Sequence, residues 1–322
     1  MIRNLSFISL LYIFLSGTQI DEEKLKIAKD FKENYLGSEI KDIGWTGNTL
    51  ICSKGKLKDE TYQKILQRIN YFRRMAGVYD TITLDENYNK LAQAAALIMY
   101  SNNILTHNPS SDLKCYSEDG DEGAGNSNLS LIIKNDFSRL ITDEMGDDGA
   151  SNGYCGHRSW ILYSKRKKMG FGATLGSYAL QVSNTTRNNK PVPNYYSCPS
   201  NGFVPFQIVY KKWSFFIPCK NDNETIDFSK TKVEMKIDNK QIKCSVLTRN
   251  GMYGDNSIVW TVGGLQDESA YSYYSMEVKK KVFQKLNLLD TKISVKITNV
   301  KIDNKIKNYE YEVQIFDPMT IN

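Results

Sequence analysis

The chain has 322 residues, 41% hydrophobic and 24% charged, with a formal net charge of +6. This ordinary globular composition excludes the disordered and collagen-like classes. The basic excess is mild and interleaved with acids, so it makes no case for a nucleic-acid partner.

The length suggests about two domains. The first stretch, "MIRNLSFISLLYIFLSGTQIDEEK", places Arg3 before an apolar core from Leu5 to Leu15. That core has the length of a signal-peptide core and is shorter than a membrane span. Ser16, Gly17 and Thr18 supply small residues for cleavage. Residues 1–18 therefore read as a secretory signal peptide, with no transmembrane segment left after its removal. The tail "VQIFDPMTIN" carries neither a lipid-anchor end nor a retention signal. The expected location is secreted, extracellular.

Secretion governs how the six cysteines read. Cys52, Cys115, Cys155, Cys198, Cys219 and Cys244 include no C-x-x-C pair, so disulfides are expected rather than metal or redox chemistry, with the pairing left open. Cys155 is expected to staple its turn. Three sequons, at Asn128, Asn184 and Asn223, point to glycosylated surface loops.

Residues 19–57 form a polar lead. From Asp59 the pattern turns helical: Tyr62, Ile65, Leu66, Ile69, Phe72 and Met75 recur three and four apart, and Gly77 suits the end of the helix. Asp85 can cap a second helix, "ENYNKLAQAAALIMYSNN". A loop, "NPSSDLKCYSEDGDEGAGNSN", follows, and the apolar run "LSLIIKNDFSRLITDEM" predicts another helix. "MGFGATLGSYALQVSN" predicts strand. Pro, Asn and Ser cluster near residue 190, where a domain boundary is expected. Beyond it the period is two. Val233, Met235 and Ile237 alternate with charges, Asp238-Asn239 can turn the chain, and Ile293, Val295 and Ile297 repeat the pattern. These half-buried antiparallel strands predict a β-sandwich.

No G-x-S-x-G, H-E-x-x-H or P-loop motif is present. "GFGATLG" lacks the last glycine of a dinucleotide loop, and the basic run "SKRKK" reads as a solvated turn. The chemistry rests on two histidines, His107 and His157, each near a group of acids. Two neutral imidazoles and a carboxylate suit zinc or a similar divalent cation, and the same set suits acid–base work. A purely structural, hydrogen-bonded role also fits this spacing.

The order of these segments resembles the CAP superfamily (cysteine-rich secretory protein, antigen 5, pathogenesis-related 1; also called SCP), in an extended protist or microbial form. Asn70 and Arg73 match the family's H-N-x-x-R, with Ile69 at the histidine; Gln93 and Ala96 match A-Q-x-x-A. His107 matches the first cavity histidine. "GNSNLS" resembles G-E-N-L with Ser127 at the acid and Asn128 kept, and "GYCGHRSWIL" resembles the second histidine motif.

The resemblance implies an α-β-α sandwich CAP domain, placed over residues 58–189; with the period-two pattern beyond it, the expected fold class is α+β, ending in an all-β, immunoglobulin-like sandwich over residues 190–322. It implies a ligand cleft at His107, His157, Ser127 and Asn128, with Asp147 or Glu144 at the second acidic position. His107 and His157 are the candidate metal ligands.

It also implies a non-catalytic binding protein for a lipid or sterol, or for an extracellular protein or glycan. A metal-dependent hydrolase using the same histidines, with Asp147 or Glu144 as base, is the first alternative. The second is an adhesion or matrix protein acting through the aromatic "YSYYSM" and "VYKKWSFF" segments of its C-terminal part.

Overall fold

The computed structural model describes residues 22–132, 136–187, 190–221, 223–272 and 276–321. The expected signal peptide lies outside them. Among the described residues, no helix is long and apolar enough to cross a membrane.

The lead begins as helix α1 (residues 22–30) and winds on to Ser38. Phe31 anchors it, stacked on Tyr35 at 4.8 Å between ring centres and buried in the core. Helix α2 (Asp59–Met75) buries Ile65, Ile69 and Phe72, three of the positions that the spacing selected. Gly77, with φ of 88°, takes the left-handed conformation that ends it. Helix α3 (Glu86–Asn102) is capped as expected: the Asp85 carboxylate accepts from the Asn87 and Tyr88 N–H groups.

A four-stranded sheet follows the order β1-β3-β4-β2 (Thr83–Leu84, Lys168–Ala173, Ser177–Gln181, Ser127–Leu131). Its pairs are antiparallel except β1 with β3. Period-two alternation divides its faces. Leu129 and Ala179 pack with Ala92, Ala95 and Ile98 of α3. Met169, Phe171 and Leu180 pack with Ile69 and Phe72 of α2. The layers are therefore helix, sheet, helix, as the family resemblance implied. Gly172 makes the first contact possible, because a Cβ there would stand 2.1 Å from the Gln93 backbone nitrogen.

The family-motif residues act as braces. The Gln93 amide bonds both backbone groups of Ala173, at 2.7 and 3.1 Å. The Arg73 guanidinium donates to the carbonyls of Ile161 and Tyr163, both at 2.9 Å. Ile69, at the usual histidine position, is buried core.

Three local expectations need correction. The run "LSLIIKNDFSRLITDEM" is not one helix: it opens as strand β2 and ends as the short helix α5 (Thr142–Gly146). Its apolar residues pair with β4, and tertiary pairing overrides a short apolar period. The "SEDGDEGAG" loop contains helix α4 (Glu118–Gly125), capped by the Ser117 hydroxyl. Helix α6 (Gly156–Leu162) then carries His157. The "SKRKK" run does begin as a turn but is solvated only in part, since Ser164 and Arg166 are buried while Lys167 is exposed.

The C-terminal part forms two sheets. One runs β10-β9-β13-β14-β6 (Lys240–Ile242, Lys232–Ile237, Lys292–Ile302, Lys305–Phe316, Gly202–Pro205), with β8 (Ile226–Asp227) beside β13. The other runs β11-β12-β7-β5 (Cys244–Arg249, Asn256–Val262, Lys212–Ile217, Tyr196–Cys198). The β9–β10 turn at Asp238-Asn239 has positive φ at both residues, as a tight hairpin requires. Trp213, Phe215 and Trp260 of the second sheet pack with Met235, Val295 and Val313 of the first. Two helices supplement the strands, α7 (Glu268–Ser272) and α8 (Met276–Lys285).

Cys52 and Cys115 form a disulfide, while Cys155, Cys198, Cys219 and Cys244 are free. Cys155 therefore does not staple its turn; it is a buried thiol whose burial pushes its pKa up to about 12. The bridge closes a separation of 63 residues. On the chain-entropy account that is worth about 4 kcal/mol.

Candidate functional site

Each cleft histidine is held by one ring nitrogen. His107 follows α3 and places Nδ1 2.9 Å from the Ala124 carbonyl at the end of α4. A carbonyl oxygen has no proton, so Nδ1 donates and Nε2 is left to accept when the ring is neutral. His157 sits in the first turn of α6 and donates from Nδ1 to Asp147 Oδ1 at 2.8 Å. The second Asp147 oxygen accepts the Arg158 N–H at 2.9 Å. Asp147 itself has φ of 52°, a left-handed conformation that asparagine and aspartate tolerate best, and it ends α5 there.

These residues line one cleft of about 390 Å³, together with Ser127, Asn128 and an aromatic wall of Tyr154, Trp160 and Tyr253. Five of the six residues selected from sequence meet there: His107, Ser127, Asn128, Asp147 and His157. Glu144 stands behind them, its Oε2 accepting from the Asn128 amide at 2.9 Å. Asn128 is only 3% exposed and also donates to the His157 carbonyl. Its sequon is therefore not a surface loop; Asn184 and Asn223 are exposed.

Burial sets the electrostatics. It raises Glu144 to about 7, although the His157 charge and the Asn128 hydrogen bond pull it back. Burial opposes the charge on His157, but the Asp147 hydrogen bond, its charge and that of Glu144 outweigh it and hold the imidazolium to about 9. His157 is thus protonated at neutral pH.

That arrangement bears on the cation that the resemblance implied. Among the described residues, no three His, Cys, Asp or Glu side chains are grouped to hold a metal ion. Ser127 brings a hydroxyl where the family has an acid, and both Asp147 oxygens are committed. The donor set does not fit a tetrad of two histidines and two acids.

The C-terminal sheets reach this cleft. Lys212 of β7 donates Nζ to the carbonyls of Asp147, Gly149 and Asn152, the latter two at 2.8 and 3.1 Å. Thr248 of β11 donates to the Gly153 carbonyl at 2.8 Å. Arg158, fully buried, donates to the carbonyls of Met145 and Lys212 at 2.7 and 2.8 Å.

Residues 66–199 match the model of the cysteine-rich secretory protein family. The chain carries a CAP domain. A solved structure of an extracellular protein containing an SCP domain, from Bacillus anthracis str. Ames, is similar at 16% identity. The similarity covers 39% of this chain and 43% of that one, with a TM-score of 0.26, so this chain spans less than half of that relative. No curated protein matches. The CAP match ends just past β5, the first strand of the C-terminal sheets.

Sequence reasoning missed the aromatic wall and the Lys212 clamp. Tyr154 and Trp160 lie within the histidine motif itself and were available as a signal. Tyr253 and Lys212 come from distant segments, and "VYKKWSFF", which holds Lys212, drew notice for its aromatics alone.

Proposed function

We propose that this is a secreted, non-catalytic binding protein that takes its ligand in the two-histidine cleft of its CAP domain. On this reading residues 1–18 are a signal peptide, residues 58–189 the CAP domain and residues 190–322 a β-rich partner domain that buttresses the cleft. The Asp147–His157 pair carries the proposal. It fixes the imidazole and at the same time consumes the carboxylate that a hydrolase would need as base. Glu144 is set behind Asn128, away from the cleft. The CAP match and the Cys52–Cys115 disulfide support an extracellular setting.

A thermal-shift screen of lipids, peptides and saccharides, run on the protein and on His157→Gln, tests this. A compound that stabilises the protein and loses its effect in His157→Gln supports the proposal. Turnover of peptide or ester substrates that disappears in His157→Gln would overturn it.

A lipid reading has separate support. A larger cleft of about 840 Å³ lies between α1, the end of α2 and β5, and includes Ile27, Met75, Tyr195 and Phe203. Delipidated protein should then take up fatty acid or sterol, with uptake reduced by Met75→Asp. No uptake removes this second reading. The adhesion reading loses part of its basis, because Trp213, Phe215 and Phe216 of "VYKKWSFF" are fully buried. Tyr273, Tyr274 and Ser275 of "YSYYSM" lie outside the described residues.

A further inference from the structure

The two-histidine cleft combines features that point to one class of ligand. Its walls bring mostly neutral polar groups. The Ser127 hydroxyl is the most informative of them: the residue is 5% exposed, lines the cleft and has no hydrogen-bond partner among the described residues. A buried hydroxyl left unbonded costs free energy unless something arrives to bond it. The free Nε2 edges of His107 and His157 stand in the same cleft.

The aromatic wall lines the same cleft. Tyr154 is 47% exposed and Tyr253 38%, too open for core residues. Their rings meet edge to face at 6.3 Å, and Trp160 packs on Tyr253 at 6.2 Å. The Tyr253 ring lies against Gly156, where a Cβ would stand 3.2 Å from it. Among the described residues no Lys, Arg or Glu lines the cleft, and the one carboxylate there, Asp147, is paired with His157.

Aromatic rings and hydrogen-bonding side chains in one cleft, whose one imidazolium is paired with Asp147, match a sugar ring. A pyranose has one face of C–H groups and an edge of hydroxyls. The volume, about 390 Å³, lies at the lower end of small-molecule sites, roughly 300–1,000 Å³.

We propose that the cleft binds an uncharged saccharide, with a ring stacked on Tyr253 and Trp160 and its hydroxyls bonded to Ser127, His107 and His157. Tyr253 makes the site composite, since the C-terminal part supplies a specificity-determining side chain to a CAP cleft. This inference rests on the binding function proposed above.

The full chain is tested on a printed array of neutral, sulfated and sialylated oligosaccharides, then by calorimetry with the strongest neutral glycan. Neutral glycans should bind. Tyr253→Ala and Ser127→Ala should each weaken binding at least tenfold, while Tyr253→Phe, which keeps the ring, should stay within about threefold. Melting curves check that each variant is folded, and Tyr253→Phe serves as the comparison if Tyr253→Ala is not. Binding confined to sulfated or sialylated glycans overturns the proposal, as does neutral binding indifferent to both alanine variants. A lipid or peptide stabilised through His157, with no glycan bound, also overturns it but leaves the binding function standing.

Discussion

Asp147 accepts the Nδ1 proton of His157 at 2.8 Å and also caps the Arg158 N–H, so one buried carboxylate fixes both the ring and the start of the helix that carries it. The pairing fixes the ring's orientation, with Nδ1 on the carboxylate, and holds the ring charged at neutral pH.

Asp147→Asn should lower the His157 pKa from about 9 by about 1–2 units, because an adjacent opposite charge accounts for shifts of that size. The chain has only two histidines, so their imidazole signals are readily separated in an NMR titration. A His157 pKa unmoved by this substitution would show that Asp147 does not hold the charge.

Stability should fall as pH rises. His157 has a folded pKa raised from 6.5 to about 9, so its contribution is complete below 6.5 and lost as pH climbs through 9. Glu144 is raised from 4.5 to about 7 by burial, so its ionisation costs stability over that lower interval. Both groups bind more protons folded than unfolded, and both slopes run downward. A combined loss on the order of 2 kcal/mol between pH 5 and 9 is expected, after discount for the partial exposure of His157. Urea midpoints measured across that range check it, and Asp147→Asn should flatten the basic limb.

Much of the CAP layer was legible because its signals are local. The spacing in α2, the Asp85 cap and the histidine motif each depend on neighbours a few residues away. The strand identity of β2 was not legible: "LSLII" is apolar enough for either structure, and its pairing partner β4 lies some distance along the chain. Five cleft residues were found through motif order, while Tyr253 and Lys212 were not. They act across the fold, and nothing beside them in sequence records what they touch.

Thiol chemistry should divide the cysteines. With Cys52 and Cys115 bridged, denatured, unreduced protein should yield four titratable thiols. In the native state Cys155 and Cys198, both buried with raised pKa values, should resist alkylation far longer than Cys219 and Cys244. Recovery of fewer than four thiols would reveal a further bridge.

Glycan mapping follows exposure. Expressed in a glycosylating host, Asn184 and Asn223 should carry sugar and Asn128 should not. The Asn128 amide is spent on Glu144 and the His157 carbonyl. Peptide mass spectrometry decides it, and an occupied Asn128 would contradict its buried position.

Lys212→Met should loosen the cleft from behind. The ammonium is buried and donates to three carbonyls of the segment that runs from Asp147 to Asn152. Methionine fills a similar volume but leaves those carbonyls without their donor, a loss of about 2–4 kcal/mol. Lys212 sits on β7, inside the C-terminal sheet, whereas the segment it holds forms the cleft wall beneath His157. Hydrogen exchange should therefore quicken over residues 147–153 while the interior of β7 and β12 stays protected. The His157 pKa should move down as the Asp147 carboxylate loses its fixed position. Unchanged exchange in that segment, with stability intact, would show that the C-terminal part does not support the cleft.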